Sequence, residues 1–165
     1  MRFTDGAQAD PESVLEVWRA ANTARGLAPS PARIARIREK LTDPDSVIFV
    51  GHLNDTEVAM ALLEAARADD GAGQVIPGHA HLAMVFVRPE QWGAGIGGRL
   101  LDYTHHRLIE MGWPIITVWT RQNNERALRM YQSRDYSRTG RVRHLPTGDP
   151  IVQLGRTLGS AGPPA

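Results

Sequence analysis

The sequence predicts an α/β domain whose sheet contains one parallel strand pair. Three observations lead there. The segment Val87 to Leu101 reads V-R-P-E-Q-W-G-A-G-I-G-G-R-L-L, a strand end, a glycine-dense turn and the start of an amphipathic helix, and another strand, Pro114 to Thr120, follows that helix. A strand, a helix and a second strand in this order pair in parallel through a right-handed crossover. Two helix starts and a hairpin precede the unit, and two strand candidates follow it.

Composition bounds the class. The chain of 165 residues fits one domain able to bury its own core, and 42% hydrophobic with 22% charged residues is ordinary for a globular protein. With no cysteine, disulfides, thiolate zinc sites and cysteine nucleophiles are excluded, and a cytoplasmic location is the expectation. Met1 to Gly6 has no apolar leader pattern, and no apolar run approaches the ~20 residues of a membrane span. A net charge of +1 with dispersed arginines argues against nucleic acid as the main partner.

The elements are justified in order. Asp10-Pro11-Glu12 reads as an N-cap, a proline at the first helical position and an acid in the first turn, ahead of Val14, Leu15, Trp18 and Ala21 at helical spacing. Ser30-Pro31 starts a second helix through Ile34, Ile37 and Leu41, which Asp43-Pro44 ends. Ser46 to Leu53 and Glu57 to Glu64 are strands joined through Asn54-Asp55. Arg67 to Gly78 is a loop by composition, and His79 to Val87 is the next strand.

The helix after the glycine turn shows Ile96, Leu100, Leu101, Thr104, Leu108 and Met111 on one side, with Gly112 at its C′ position. Asn124, Ala127, Leu128 and Tyr131 mark one face of a short helix, and Tyr136 to Val142 and Ile151 to Leu158 are the last strands. The domain is expected over residues 1–158, with 159–165 a disordered tail of small residues and proline.

Glycines after a strand let backbone amides converge at a positive helix end, a site for a pyrophosphate. Gly93-x-Gly95-x-x-Gly98 formally matches a dinucleotide fingerprint, which would make the chain a redox enzyme. Against this, Gly93 lies six residues beyond Val87, and Ile115 to Thr120 carries no acid for a ribose hydroxyl. A phosphate-binding P-loop also fails, because no Gly-Lys-Ser/Thr follows.

The other parse is Trp92-Gly93-Ala94-Gly95-Ile96-Gly97, preceded by Val87-Arg88-Pro89 and followed, after a helix and a strand, by Asn124-Glu125-Arg126-Ala127 and Tyr131. This resembles the GNAT superfamily of acyl-CoA-dependent N-acyltransferases, from about Phe3 to Leu158. The chain departs at Trp92, where the pattern prefers Gln or Arg, and at Asp135-Tyr136, which replaces a Gly-Phe-like pair. The resemblance implies a mixed, mostly antiparallel sheet with one parallel strand pair splayed for CoA, flanked by about four helices.

The resemblance also implies a site. The pantetheine arm would pair with backbone around Val85, Phe86 and Val87, where a strand N–H would polarise the thioester carbonyl. Amides from Trp92 through Gly93, Ala94, Gly95, Ile96, Gly97 and Gly98 would hold the pyrophosphate of acetyl-CoA. Tyr131 matches the general acid that protonates the departing CoA sulfur; otherwise it is an amphipathic core tyrosine. His81 lies six residues before Val87 on the same strand face, where serotonin-type members carry a catalytic histidine and histone-type members a glutamate. It is the candidate base, against the alternative of an inert hydrogen-bonded histidine.

Asn124 would tie the second strand's end to the cofactor, or simply cap a helix. Weaker candidates are Glu64 acting through water, a solvated Glu90, and a His79–His81 metal pair lacking a third ligand, so that no metal is expected. Trp119 stands where some members place a glutamate base. Of His105 and His106 at least one should face solvent. Arg99, Arg121 and Arg129 are options for the CoA phosphates, and Arg138, Arg141 and Arg143 form an exposed face or an acidic-substrate dock.

The reading is an N-acetyltransferase using acetyl-CoA and a small-molecule or peptide amine. The alternative is a non-catalytic acyl-CoA-binding module. The acceptor is unread, and the last strand pair could pair across a homodimer.

Overall fold

The computed structural model describes residues 1–159; of the predicted tail 159–165, residues 160–165 lie outside them. Helices α1 (Pro11–Ala24), α2 (Pro31–Thr42), α3 (Ile96–Glu110) and α4 (Glu125–Gln132) accompany strands β1 (Arg2–Asp5), β2 (Val47–Leu53), β3 (Thr56–Arg67), β4 (Val75–Val87), β5 (Ile115–Arg121), β6 (Ser137–His144) and β7 (Pro150–Thr157). Hydrogen-bonded strand neighbours follow the order β1-β2-β3-β4-β5-β7-β6. β1–β2, β2–β3, β5–β7 and β6–β7 are antiparallel, while β4–β5 is parallel, so the predicted mixed sheet with a crossover through α3 is present.

Two compact units divide the chain, Met1–Glu64 with Met84–Thr104, and Ala65–Ala83 with the residues from His105 on. In the first, side-chain caps start the helices as their sequences require. Asp10 accepts from the Glu12 amide and Ser30 from the Arg33 amide, each followed by proline in the first turn. The β2–β3 hairpin turns on Asn54 and Asp55, whose φ of 49° and 62° suit residues that tolerate the left-handed region. Tyr103 of α3 stacks on Phe3 at 5.7 Å, meets Phe49 edge-on at 5.6 Å and donates to the Asp5 carboxylate at 3.1 Å. Trp18, Phe49, Met60, Leu62, Leu63, Leu100 and Leu101 are buried in this unit.

In the second unit the parallel register runs from His79 opposite Ile115 to Leu82 opposite Val118, and β7 pairs with β5 along the latter's whole length. Ile116, Val118, Val152 and Leu154 are buried together with Leu128 of α4. Gly112, at φ 77°, ends α3: its amide bonds the Ile109 carbonyl and the Trp113 amide the Leu108 carbonyl, the paired bonds of a Schellman cap.

Two expectations need correction. The loop expected over 67–78 is shorter, because β3 runs to Arg67 and β4 begins at Val75. Asp69 and Asp70 both take positive φ, and the Ala68 amide bonds the Gln74 carbonyl, so a compact turn lets pairing resume at once. Met111, expected on the buried side of α3, is exposed, since it follows the last helical turn.

Candidate active site

The first unit carries the glycine turn. The Arg88 amide bonds the Val58 carbonyl at 2.8 Å and its guanidinium the Glu57 carbonyl at 2.8 Å, fixing where β4 ends. Pro89–Gln91 makes one short 3-10 turn, and the Trp92 indole N–H returns to donate to the Val87 carbonyl at 2.7 Å. The departure at Trp92 therefore closes the turn that the pattern's polar residue would occupy. It also engages a carbonyl that the resemblance leaves to the pantetheine arm.

Gly93 and Gly95 have φ of 86° and 73°, and a Cβ at either would meet nothing within 4 Å. Glycine is demanded there by backbone conformation, not by crowding. The Arg99 amide bonds the Gly95 carbonyl at 3.1 Å, which places Gly95 at the N-cap of α3. The amides of Ile96 and Gly97 then have no carbonyl one turn back within the helix, the arrangement that suits a phosphate. Gly95→Val, a β-branched residue in the left-handed region, should weaken acetyl-CoA binding about tenfold or more by titration calorimetry, and Gly95→Asn less.

Glu64 forms an ion pair with Lys40, and Glu90 is exposed. Arg99 lies over the Phe3 ring at 5.8 Å.

The second unit carries both predicted catalytic side chains. Asn124 caps α4, its side-chain oxygen accepting the Ala127 amide at 3.1 Å. About two turns later Tyr131 is 5% exposed, and burial pushes its phenol well above the usual range, so the hydroxyl stays protonated. No hydrogen bond to a described side chain ties up that hydroxyl.

The Tyr131 ring lies 5.2 Å from the ring of Tyr136, whose hydroxyl is 2.8 Å from His105 Nε2. Arg156 donates to His105 Nδ1 at 2.9 Å, and because a guanidinium never accepts, Nδ1 bears the lone pair. A neutral His105 then donates from Nε2 to Tyr136. Asp135, at φ 63°, makes the turn that the family pattern gives to glycine, and it pairs with Arg156 at 3.9 Å.

This buried network was missed in the sequence, although Leu101, His105 and Leu108 at helical spacing signalled that His105 faces inward. His106 is the histidine of the pair that faces solvent.

His81, half-buried on β4, stands opposite Thr117. His79 bonds the Thr117 hydroxyl at 3.0 Å, and burial lowers its pKa. Among the described residues no group of three or more His, Cys, Asp or Glu could hold a metal ion. Arg121 pairs with Asp149 at 2.8 Å and Arg129 with Glu125 at 3.3 Å, so both phosphate options have local carboxylate partners. Trp119 holds the guanidinium carbons of Arg141 and Arg143 at 5.5 and 5.4 Å from its ring centroid. Among the described residues no helix is long and apolar enough to cross a membrane.

A family model for the acetyltransferase (GNAT) family matches residues 12–136. No curated protein matches the chain by sequence. Among solved structures, the ribosomal-protein-S18-alanine N-acetyltransferase from Escherichia coli superposes with a TM-score of 0.76 at 17% identity, covering 98% of this chain and 96% of that one. An aminoglycoside 6′-acetyltransferase type Ii gives 0.75 at 14% identity, covering 98% and 99%. PaiA N-acetyltransferase from Thermoplasma acidophilum, in complex with coenzyme A, gives 0.64 at 18%, covering 93% and 98%. These likenesses agree on the fold, and the family match spans most of the chain: the protein belongs to the GNAT acetyltransferase family.

Proposed function

We propose that the protein moves an acetyl group from acetyl-CoA directly to a primary amine, as one domain over residues 1–158. The observation that carries this reading is the Gly93–Gly95 turn, whose positive φ values lead the chain into α3 at an amide-lined helix start. Amides from Gly93 to Gly98 bind the pyrophosphate, and backbone from Val85 to Val87, less the Val87 carbonyl that Trp92 engages, aligns the pantetheine arm as an added strand does. Asn124 braces the end of β5 toward the cofactor while capping α4.

Chemistry falls to two side chains. His81 takes the proton of the attacking amine; the nitrogen bonds to the thioester carbon, the carbon–sulfur bond breaks, and Tyr131 protonates the departing sulfur. Burial keeps the Tyr131 hydroxyl protonated, the state in which a general acid must start. The cysteine-free composition fits a cytoplasmic setting.

Thermal unfolding with saturating acetyl-CoA, and with NAD as control, tests the reading. Ligand at about 100 times its dissociation constant adds about 2.7 kcal/mol. In a chain of this size that raises the midpoint by roughly 5–10 °C. A rise with acetyl-CoA alone, followed by thiol release with an amine panel, is the expected result. A rise with NAD alone would overturn the parse of the glycine turn, and binding without turnover on any amine would make the protein a non-catalytic acyl-CoA module.

A further inference from the structure

One face of the second unit's sheet joins the candidate base to a cationic aromatic platform. Strand pairing sets His81 opposite Thr117, Thr117 opposite Gly155 and Trp119 opposite Gln153, and paired residues project to the same side of a sheet. Side-chain contacts agree. The Thr139 hydroxyl donates to Gln153 at 2.8 Å, and the methyls of Thr117 and Thr139 lie 3.4 and 3.3 Å from where a Cβ of Gly155 would stand.

At the edge strand β6, Arg141 and Arg143 reach back over Trp119. The three arginines do not act together, because Arg138 stands three residues from Arg141 and alternation puts an odd spacing on opposite faces. The register of β6 shifts between Arg138 and Val142, where Gly140 takes φ 91°. Arg138 pairs with buried Leu154 and so projects to the opposite side from Trp119.

Arg141 already has a carboxylate, that of Asp70, whereas Arg143 has none among the described residues. Protection of an edge strand by charge needs no particular partner on the sheet. Two guanidiniums drawn onto one indole, one of them still able to take a carboxylate, make a site that recognises an anion beside an apolar surface.

We infer that this face binds the acceptor, and that the acceptor is a short amine carrying a carboxylate, held by Arg143 over Trp119 with its amine toward His81. The inference rests on the acetyltransferase reading proposed above. One strand across and two residues along separate His81 from Trp119, about 8 Å between Cα atoms at ordinary sheet spacings. That span suits an amine and a carboxylate about a peptide unit or more apart. Polycationic amines meet like charge at the same place and are refused.

The test compares glycylglycine, glycylglycine amide and spermidine as acceptors by thiol release, in wild type, Arg143→Gln and Arg138→Gln. Wild type should favour glycylglycine over its amide by about tenfold or more in kcat/KM, the scale of one charge-assisted contact. Arg143→Gln should bring the two within about twofold, and Arg138→Gln, on the other face, should keep the preference. Equal rates for the dipeptide pair in wild type, a preference unchanged in Arg143→Gln, or a preference for spermidine would overturn the inference. Stabilisation of all three proteins by acetyl-CoA keeps the acetyltransferase reading apart from these outcomes; its absence in all three would overturn that reading instead.

Discussion

Tyr131→Phe should lower kcat by about two to four orders of magnitude, the usual contribution of a positioned general acid, while the acetyl-CoA-dependent rise in unfolding temperature persists. The substitution removes one hydroxyl and keeps the ring that packs at 5.2 Å from Tyr136. Stability should therefore change little, and any loss of turnover reports the proton. Because burial raises the phenol's pKa, wild type should show no alkaline loss of activity from Tyr131 below about pH 10, where an ordinary tyrosine would begin to ionise. Steady-state thiol release across pH, with thermal shift in parallel, measures both. Wild-type turnover in Tyr131→Phe would remove the acid role.

His81→Gln should cost about two orders of magnitude in kcat/KM at neutral pH and abolish the acid limb of the profile. A base works unprotonated, so activity is present above its pKa and is lost as pH falls through it. The neighbouring histidine supplies the control. His79 is bonded to Thr117 and desolvation lowers its pKa, so a limb due to His79 would lie below the ordinary imidazole value of about 6.5. His79→Gln should leave the limb where it is in wild type. A limb that survives in His81→Gln and disappears in His79→Gln would transfer the role to His79.

Much of the fold was legible because its signals act over a few residues. A side-chain oxygen two or three positions before an amide caps a helix whatever surrounds it, and Asp10, Ser30 and Asn124 all do so. Gly93, Gly95 and Gly112 take the positive φ that their places in turn and cap require. The glycine turn followed by a helix and a strand implied the parallel β4–β5 pair, since the intervening helix returns the chain to the end of the sheet where β4 began.

The site was less legible, because its contacts join residues far apart in the chain. Composition made 67–78 a loop, yet two aspartates in the left-handed region tighten it and β4 starts at Val75. Nothing near Trp92 announces that its indole will close on Val87, nor anything near His105 that Arg156 will set its tautomer and the Tyr136 hydroxyl accept its N–H. Arg138, Arg141 and Arg143 look like one charged stripe in sequence. Yet their spacings of three and then two residues already set Arg138 on the opposite face from Arg141 and Arg143, and only the tertiary structure shows those two reaching over Trp119.

By itself, then, the sequence determined what short-range physics decides: helix caps, turn conformations, the order of elements and the glycine turn that marks the family. Only the tertiary structure decided which polar side chains meet, which face each strand residue takes and which titratable groups lose water. Those depend on register and burial, which distant segments set together.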